Sequence, residues 1–204
     1  MVSRDIPFVV KKEMIANQFE ISHLASKLKK GSLALFPTDT LPALCSWRKY
    51  SKEIWAIKKG PSNKPLILMG GCLDDLFEFV KPCAIEDGLK LANNYWPGAL
   101  TIVLPTIGNV SKNLNSNSNS LGFRVPALGL AGDLLIKTGP LATTSANISG
   151  ESPVKDALEA SIKFPGIPIL APVPWPKSSG VASTVVEWKE GGWNLLRAGS
   201  VVLQ

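Results

Sequence analysis

The sequence predicts a single α/β or α+β domain over residues 1–204, with a twisted mixed sheet and flanking helices. Three observations predict it. Segments with a helical apolar period alternate along the chain with short apolar runs of strand length, the pattern of helix and sheet layers packed on one another. Of the 204 residues, 45% are hydrophobic and 19% charged, enough apolar material for one sizeable core. No internal repeat divides the chain into smaller units.

Ile15, Phe19, Leu24 and Leu28 fall at helical spacing, so a first helix is predicted from about Glu13 to Lys30, stopped by Gly31. Leu33 to Phe36 reads as a buried strand that Pro37 ends. Thr38, Asp39 and Thr40 then occupy the loop at its carboxyl end, the side of α/β sheets where ligands gather. Ser51 is predicted to cap a short helix through Ile57 that stops at Gly60-Pro61, with a strand at Pro65 to Met69. Lys58 to Lys64 thus lie on a helix-to-strand connection. A helix from about Ala84 to Tyr95 leads through Trp96-Pro97-Gly98 into a strand at Leu100 to Leu104. Ser111 to Ser120 is low in complexity and is predicted as a flexible surface loop. A strand at Gly122 to Val125, a helix near Leu130 to Lys137, a strand at Leu141 to Thr144 and a helix at about Val154 to Lys163 continue the alternation. Late strands are expected around Thr184 to Trp188, Trp193 to Leu196 and Val201 to Leu203.

No apolar run is long enough to span a bilayer, and Met1-Val2-Ser3-Arg4-Asp5 lacks a signal peptide's organisation, so a cytoplasmic protein without a membrane partner is expected. Cys45, Cys72 and Cys83 are odd in number, widely spaced and without a CxxC or a nearby His cluster. Neither a disulfide framework nor a protein-ligated metal is suggested, and reduced, mostly buried thiols are expected. The 22 Lys and Arg against 16 Asp and Glu give a net charge of +6, which favours anionic partners such as nucleotides or RNA. The groups Lys11-Lys12 and Lys27, Lys29, Lys30 read as solvated helix faces or chain ends. The six Trp residues are scattered without an interleaved basic stripe, which makes them core or pocket wall rather than a stacking platform. His23, the one histidine, lies in a predicted helix away from every polar cluster and is read as structural.

In Leu141 to Gly150, a small-residue strand runs into Thr143, Thr144, Ser145, Asn147, Ser149 and Gly150, a cradle of short donors and acceptors that suits an anionic ligand. Six further clusters accompany it: Phe36-Pro37-Thr38-Asp39-Thr40, Ile57-Lys58-Lys59-Gly60-Pro61, Trp96 to Thr101, Arg124-Val125-Pro126, Ser183-Thr184-Val185-Val186 and Arg197-Ala198-Gly199. Taken singly each has a plain reading: Thr38 as part of a turn with Asp39 bonding backbone amides, Lys58 as a solvated helix end, Arg124 as an exposed sheet residue, Arg197 as half of a surface ion pair.

In this order and spacing the clusters resemble the YrdC-like family over roughly residues 12 to 203. The resemblance implies a YrdC/RibB-like curved sheet with a basic concave pocket, and L-threonylcarbamoyladenylate synthesis from L-threonine, bicarbonate and Mg2+-bound ATP. The product would pass to a tRNA threonylcarbamoyl-transferase complex for the threonylcarbamoyladenosine modification of tRNA. Joining a carboxylate to the α-phosphorus of ATP brings two anions together, so it needs cations, donors and in-line positioning rather than a protein nucleophile. By the resemblance, Thr38, Lys64, Arg124 and Ser183 bind threonine; Lys58, Thr101, Ser145, Asn147 and Arg197 bind ATP; Lys58, Ser145 and Asn147 carry the catalytic roles; and no protein side chains ligate a metal. Arg124 is expected to grip a carboxylate with both arms of its fork, while Lys58 suits phosphate as a flexible point charge.

Two departures from the family's pattern stand out. Pro42-Ala43 replaces a Tyr-Gly pair, and Gly60 stands where a phosphate-binding arginine is expected. Lys59 or Lys64 would supply charge there, though not a planar fork. A non-catalytic relative that binds double-stranded RNA or tRNA is the alternative these departures admit. The carbamoyl-transfer domain of hydrogenase maturation proteins is a further one, but those chains are long and carry zinc-binding CxxC pairs. The length matches the short, single-domain form of the family.

Overall fold

A computed structural model describes residues 15–59, 65–114, 118–127, 129–190 and 192–203. They form a mixed α/β fold on a ten-stranded sheet. The strands are β1 (Gln18–Phe19), β2 (Ala34–Phe36), β3 (Ala43–Trp47), β4 (Ile67–Met69), β5 (Leu100–Pro105), β6 (Ser120–Arg124), β7 (Leu141–Ser145), β8 (Ile169–Leu170), β9 (Thr184–Lys189) and β10 (Gly192–Arg197). Their order across the sheet is β1-β8-β2-β3-β7-β4-β6-β5-β9-β10. The β1–β8, β2–β8, β4–β6 and β5–β9 pairs are parallel and the others antiparallel, so the sheet is mixed as expected. The helices are α1 (Ile21–Lys29), α2 (Lys52–Lys58), α3 (Asp74–Phe77), α4 (Pro82–Tyr95), α5 (Val110–Leu114), α6 (Gly129–Thr138) and α7 (Ala157–Lys163).

The alternation of side chains along each strand divides the core in two. Leu35, Leu44, Leu68, Ile102, Phe123 and Ala142 point to one face, where Ile54 of α2, Ala84 and Ala92 of α4, Leu114 of α5 and Ala157 and Ala160 of α7 cover them. Their neighbours Ala34, Phe36, Ala43, Cys45, Met69 and Leu141 point to the other face, under Leu24 and Leu28 of α1 and Ala131, Leu134 and Leu135 of α6. That second cover is shorter than the sheet. Alternation places Gly122 and Arg124 of β6 and Thr101 of β5 on the same face, and none of the three belongs to the apolar cluster beneath α1 and α6. The fold therefore leaves a recess of polar residues beside a helical wall.

Local sequence sets the helix ends. Gly31 adopts φ 99° after α1, and its N–H returns to Leu28 O, the left-handed stop a glycine takes without strain. Pro82 opens α4 at a position whose missing N–H costs nothing. Asp156 caps α7 by accepting from Glu159 N, while Glu159 accepts from Lys155 N. Lys59, closing α2, adopts φ 50° without being glycine.

Several elements differ from expectation. The first helix begins at Ile21, because Asn17 O and Phe19 O accept from Ile169 N and Ala171 N and pull the preceding residues into the sheet. Strand β3 was not expected. Ala43, Leu44, Cys45 and Ser46 are buried on both faces, which erases the alternation that marks a strand. Ser51 does not cap α2 through its side chain; its hydroxyl donates to Asn113 O. Within the predicted loop at 111–120, Ser111 to Leu114 belong to α5, with Leu114 fully buried, and β6 begins at Ser120. Val201 to Leu203 is not a strand: Val201 is clasped by the Thr184 hydroxyl, which accepts from Val201 N and donates to Val201 O. The helix expected from Val154 starts at Ala157. Of the three cysteines only Cys45 is buried, burial raising its thiol pKa, while Cys72 and Cys83 are exposed; all three are free.

The indoles pack as expected. Trp96 Nε1 donates to Leu100 O, Trp175 Nε1 to Leu170 O and Trp188 Nε1 to Asp87 Oδ2, and Trp55 and Trp193 lie partly buried on the core. His23 is exposed on α1. Among the described residues no helix is long and apolar enough to cross a membrane.

Candidate active site

The recess holds a cavity of about 290 Å³ lined by Thr40 and Leu41 from the loop after β2, Ile67 and Met69 of β4, Arg124 at the end of β6, Thr143 to Ser145 of β7, and Ala182, Ser183 and Arg197 from the β9–β10 side. Three groups of side chains meet there.

The first centres on Arg124, only 2% exposed at the carboxyl end of β6. Its Nε donates to Gly98 O at 2.9 Å, one terminal nitrogen to Thr40 Oγ1 at 2.8 Å and the other to Asp39 Oδ1 at 2.7 Å. Asp39 Oδ1 also accepts from Ala127 N at 3.2 Å. The fork is thus partly taken up inside the protein, by a carboxylate the protein supplies. Burial lowers the Arg124 pKa, Asp39 opposes that shift, and Arg197 adds a smaller lowering. Thr38 is buried and does not line the cavity. Its hydroxyl donates to Leu41 O at 2.7 Å and accepts from Thr40 N and Leu41 N, closing the turn.

The second group joins α2 to the loop after β7. Lys58, on the last turn of α2, is 7% exposed rather than solvated. Its Nζ donates to Ser145 O at 2.6 Å and Asn147 Oδ1 at 3.0 Å, and its carbonyl accepts from Ser149 N at 3.0 Å. Ser145 Oγ donates to the same Asn147 oxygen at 2.7 Å. Lys58 and Asn147 stand behind Ser145, which lines the cavity.

In the third group Arg197 donates twice to Ser183 O, at 3.1 and 2.9 Å, and once to Ser183 Oγ at 3.1 Å. Ser183 Oγ lies 2.8 Å from Thr101 Oγ1. Arg197 is exposed at the rim, and partial burial of its head lowers its pKa. An irregularity between Leu195 and Arg197 brings Arg197 opposite Val185, onto the cavity face. A strap closes the same side: Ser179 N and Gly180 N donate to Asp39 O and Thr40 O, both at 2.9 Å.

Of the candidate residues, Arg124, Ser145, Ser183 and Arg197 line the cavity, Thr101 meets Ser183, Lys58 and Asn147 stand behind Ser145, and Thr38 lies one turn away in the loop after β2. Lys64 and Gly60 lie outside the described residues. Thr143 of the expected cradle and Thr40 of the loop after β2 line the cavity without having been given a role of their own, and Asp39 was missed as the partner of Arg124. The signal for Thr143 was its alternation with Ala142. The cavity combines two guanidiniums, short hydroxyls and an apolar floor, an arrangement able to hold an anionic ligand against the sheet edge.

Comparisons with known proteins agree with this architecture. The family model Sua5_yciO_yrdC, described as telomere recombination, matches residues 26–199. The threonylcarbamoyl-AMP synthase of Bacillus subtilis (strain 168) is 31% identical over 198 residues, covering 93% of this chain and 56% of the relative. Sua5 of Pyrococcus abyssi, solved in complex with L-threonine, superposes with a TM-score of 0.81 at 29% identity, covering 89% of this chain and 56% of that one. Escherichia coli YciO shares the fold, with a TM-score of 0.75 at 22% identity over 89% of this chain and 95% of its own. The chain spans little more than half the length of the B. subtilis and P. abyssi proteins.

Proposed function

The chain belongs to the Sua5/YciO/YrdC family, and on that premise we propose that it is a nucleotidyltransferase of the cytoplasm that makes L-threonylcarbamoyladenylate from L-threonine, bicarbonate and ATP. Relatives named threonylcarbamoyl-AMP synthase support this reading over the RNA-binding alternative. The observation that carries it is the convergence of Arg124, Arg197 and Ser145 on one cavity, with Lys58 held behind Ser145.

In the proposed sequence the threonine amine condenses with bicarbonate, losing water and leaving a carbamate. A carbamate oxygen then bonds to the α-phosphorus as the bond from that phosphorus to the pyrophosphate oxygen breaks. The residues act by holding charge and geometry. Arg197, braced by Ser183 and Thr101, and Lys58, braced by Ser145 and Asn147, set positive charge on two sides of the cavity where phosphates gain negative charge. Arg124 keeps hydrogens beyond the three it spends internally, and these would meet the substrate carboxylate. Lys64 is a proposed further cation for threonine. The Mg2+ of this proposal arrives with ATP, on its phosphates. The adenylate would leave for a tRNA threonylcarbamoyl-transferase complex.

The test is pyrophosphate release with MgATP, with and without both L-threonine and bicarbonate, alongside Lys58→Ala. Release that requires both co-substrates is expected, falling about a hundredfold in the variant, the scale on which loss of one positioned charge-stabilising donor acts. No release above background from folded protein would overturn the reading.

A further inference from the structure

A second cavity, of about 790 Å³, lies between the end of α2, the loop after β7 and the end of α7, and it shares no lining residue with the first. That volume is in the range of sites that enclose small ligands. Ile57, Ile148 and Phe164 line it and also pack on the main core, which gives the cavity an apolar floor. Ile162, 70% exposed, adds an apolar rim.

Four charged residues complete the lining: Lys59, Glu151, Glu159 and Lys163. Lys163 and Glu151 neutralise each other in an ion pair. The Glu159 carboxylate accepts from Lys155 N at the start of its own helix. The Lys59 ammonium makes no ion pair or hydrogen bond with a described residue, so its charge remains for a ligand. From the sequence Lys59 was a substitute for the missing phosphate-binding arginine, yet it does not line the first cavity. Its left-handed φ of 50° turns the chain at the end of α2, and it lines the second cavity instead.

We propose that this cavity is a second ligand site, for a small molecule with an apolar body and one anionic group, and that its occupant acts on the first cavity through a common wall. The isoleucines and Phe164 take the body, and Lys59 takes the anion. The wall is built from two segments. Ile57 and Lys59 flank Lys58, and Ile148 follows Asn147. Lys58 Nζ donates to Asn147 Oδ1, Ser149 N to Lys58 O and Asn147 Nδ2 to Glu151 O. A ligand seated against Ile57 and Ile148 therefore bears on the same segments that present Lys58 and Asn147 to the first cavity. The site stands on its own geometry, while its action on the first cavity rests on the synthase reading.

The test is fluorescence titration of the full chain with anilinonaphthalene sulfonate, an apolar body with one anionic group, and with phenylnaphthylamine, the same body without the charge. Saturable binding with the sulfonate preferred is expected. Ile162→Glu changes an exposed side chain, so the variant folds, and it sets an acid at the rim. It should weaken the sulfonate about tenfold through lost apolar contact and repulsion. Lys59→Gln should cut the preference for the sulfonate about threefold, the scale of an exposed ion pair. Sulfonate binding that neither change alters, or that MgATP abolishes equally in wild type and in Ile162→Glu, places the probe elsewhere and overturns the site. A preference for the uncharged probe overturns the ligand class. Coupling between binding sites is reciprocal, so in wild type MgATP should shift the dissociation constant of the sulfonate about fivefold or more. No shift in protein that releases pyrophosphate overturns the coupling and leaves the synthase reading standing. Protein that releases no pyrophosphate overturns that reading and the coupling with it, and the two probes still decide the site.

Discussion

Replacing Asp39 by Ala strips the buried Arg124 of its counter-charge. The pair is 2.7 Å long, with the arginine side chain 3% and the aspartate side chain 20% exposed. Removing one member of a fully buried pair costs about 3–5 kcal/mol, because the other charge is left uncompensated. The exposed edge of Asp39 admits water and reduces that figure to about 2–3 kcal/mol. Arg197, whose charge already opposes that of Arg124, works against any further discount. For a chain of this size each kcal/mol moves the melting temperature by about 2–4 °C, so a fall of about 4–12 °C is expected in thermal denaturation followed by circular dichroism. Asp39→Asn keeps an acceptor for Arg124 and Ala127 and should lose about half as much. In a double-mutant cycle, Arg124→Met in the Asp39→Ala background should cost less than in wild type, with a coupling above about 1 kcal/mol. A melting temperature within a degree of wild type for Asp39→Ala, or additive effects in the cycle, would refute the argument that Arg124 depends on this carboxylate.

Gly122 packs against the cavity residue Ile67, where a Cβ would meet Ile67 Cγ2 at 2.9 Å and Thr101 Cγ2 at 3.1 Å. Gly122→Ala should therefore destabilise by about 1–3 kcal/mol, measured by urea unfolding, and raise KM for threonine more than for an unrelated surface Gly132→Ala control, whose Cβ meets nothing. Alkylation of native protein with iodoacetamide should add two labels, at Cys72 and Cys83, and a third at Cys45 only after denaturation; mass spectrometry of the native sample showing three labels would contradict the burial of β3.

Where a residue's role depends on its own strand or turn, the sequence carried it. Pro37 ends β2 and sets Thr38 to Thr40 at the strand's carboxyl end, and the alternation of Phe123, Arg124 and Val125 sends Arg124 to the face opposite the main core. What depends on distant partners was not legible. Arg124 finds Asp39, Thr40 and Gly98 O through the order of strands, which no local period encodes. Strands β1 and β8 have two residues each, too short for any period. Helix α5 hides in a Ser- and Asn-rich stretch whose one strongly apolar anchor is Leu114. Lys58 reads as an exposed helix end until the loop after β7 is folded over it.

The contacts that build the cavity join residues far apart along the chain: Asp39 to Arg124 across 85 positions, Lys58 to Asn147 across 89, Thr101 to Ser183 across 82. Each demands that a long loop be closed before it rewards the chain, so such contacts belong to the later, slower part of folding. A partly folded molecule that has gathered its helices and hairpins still has no binding site. Ligand occupancy is consequently a report on the finished fold, and whatever fills the cavity stabilises only the finished fold, by mass action against every incomplete one.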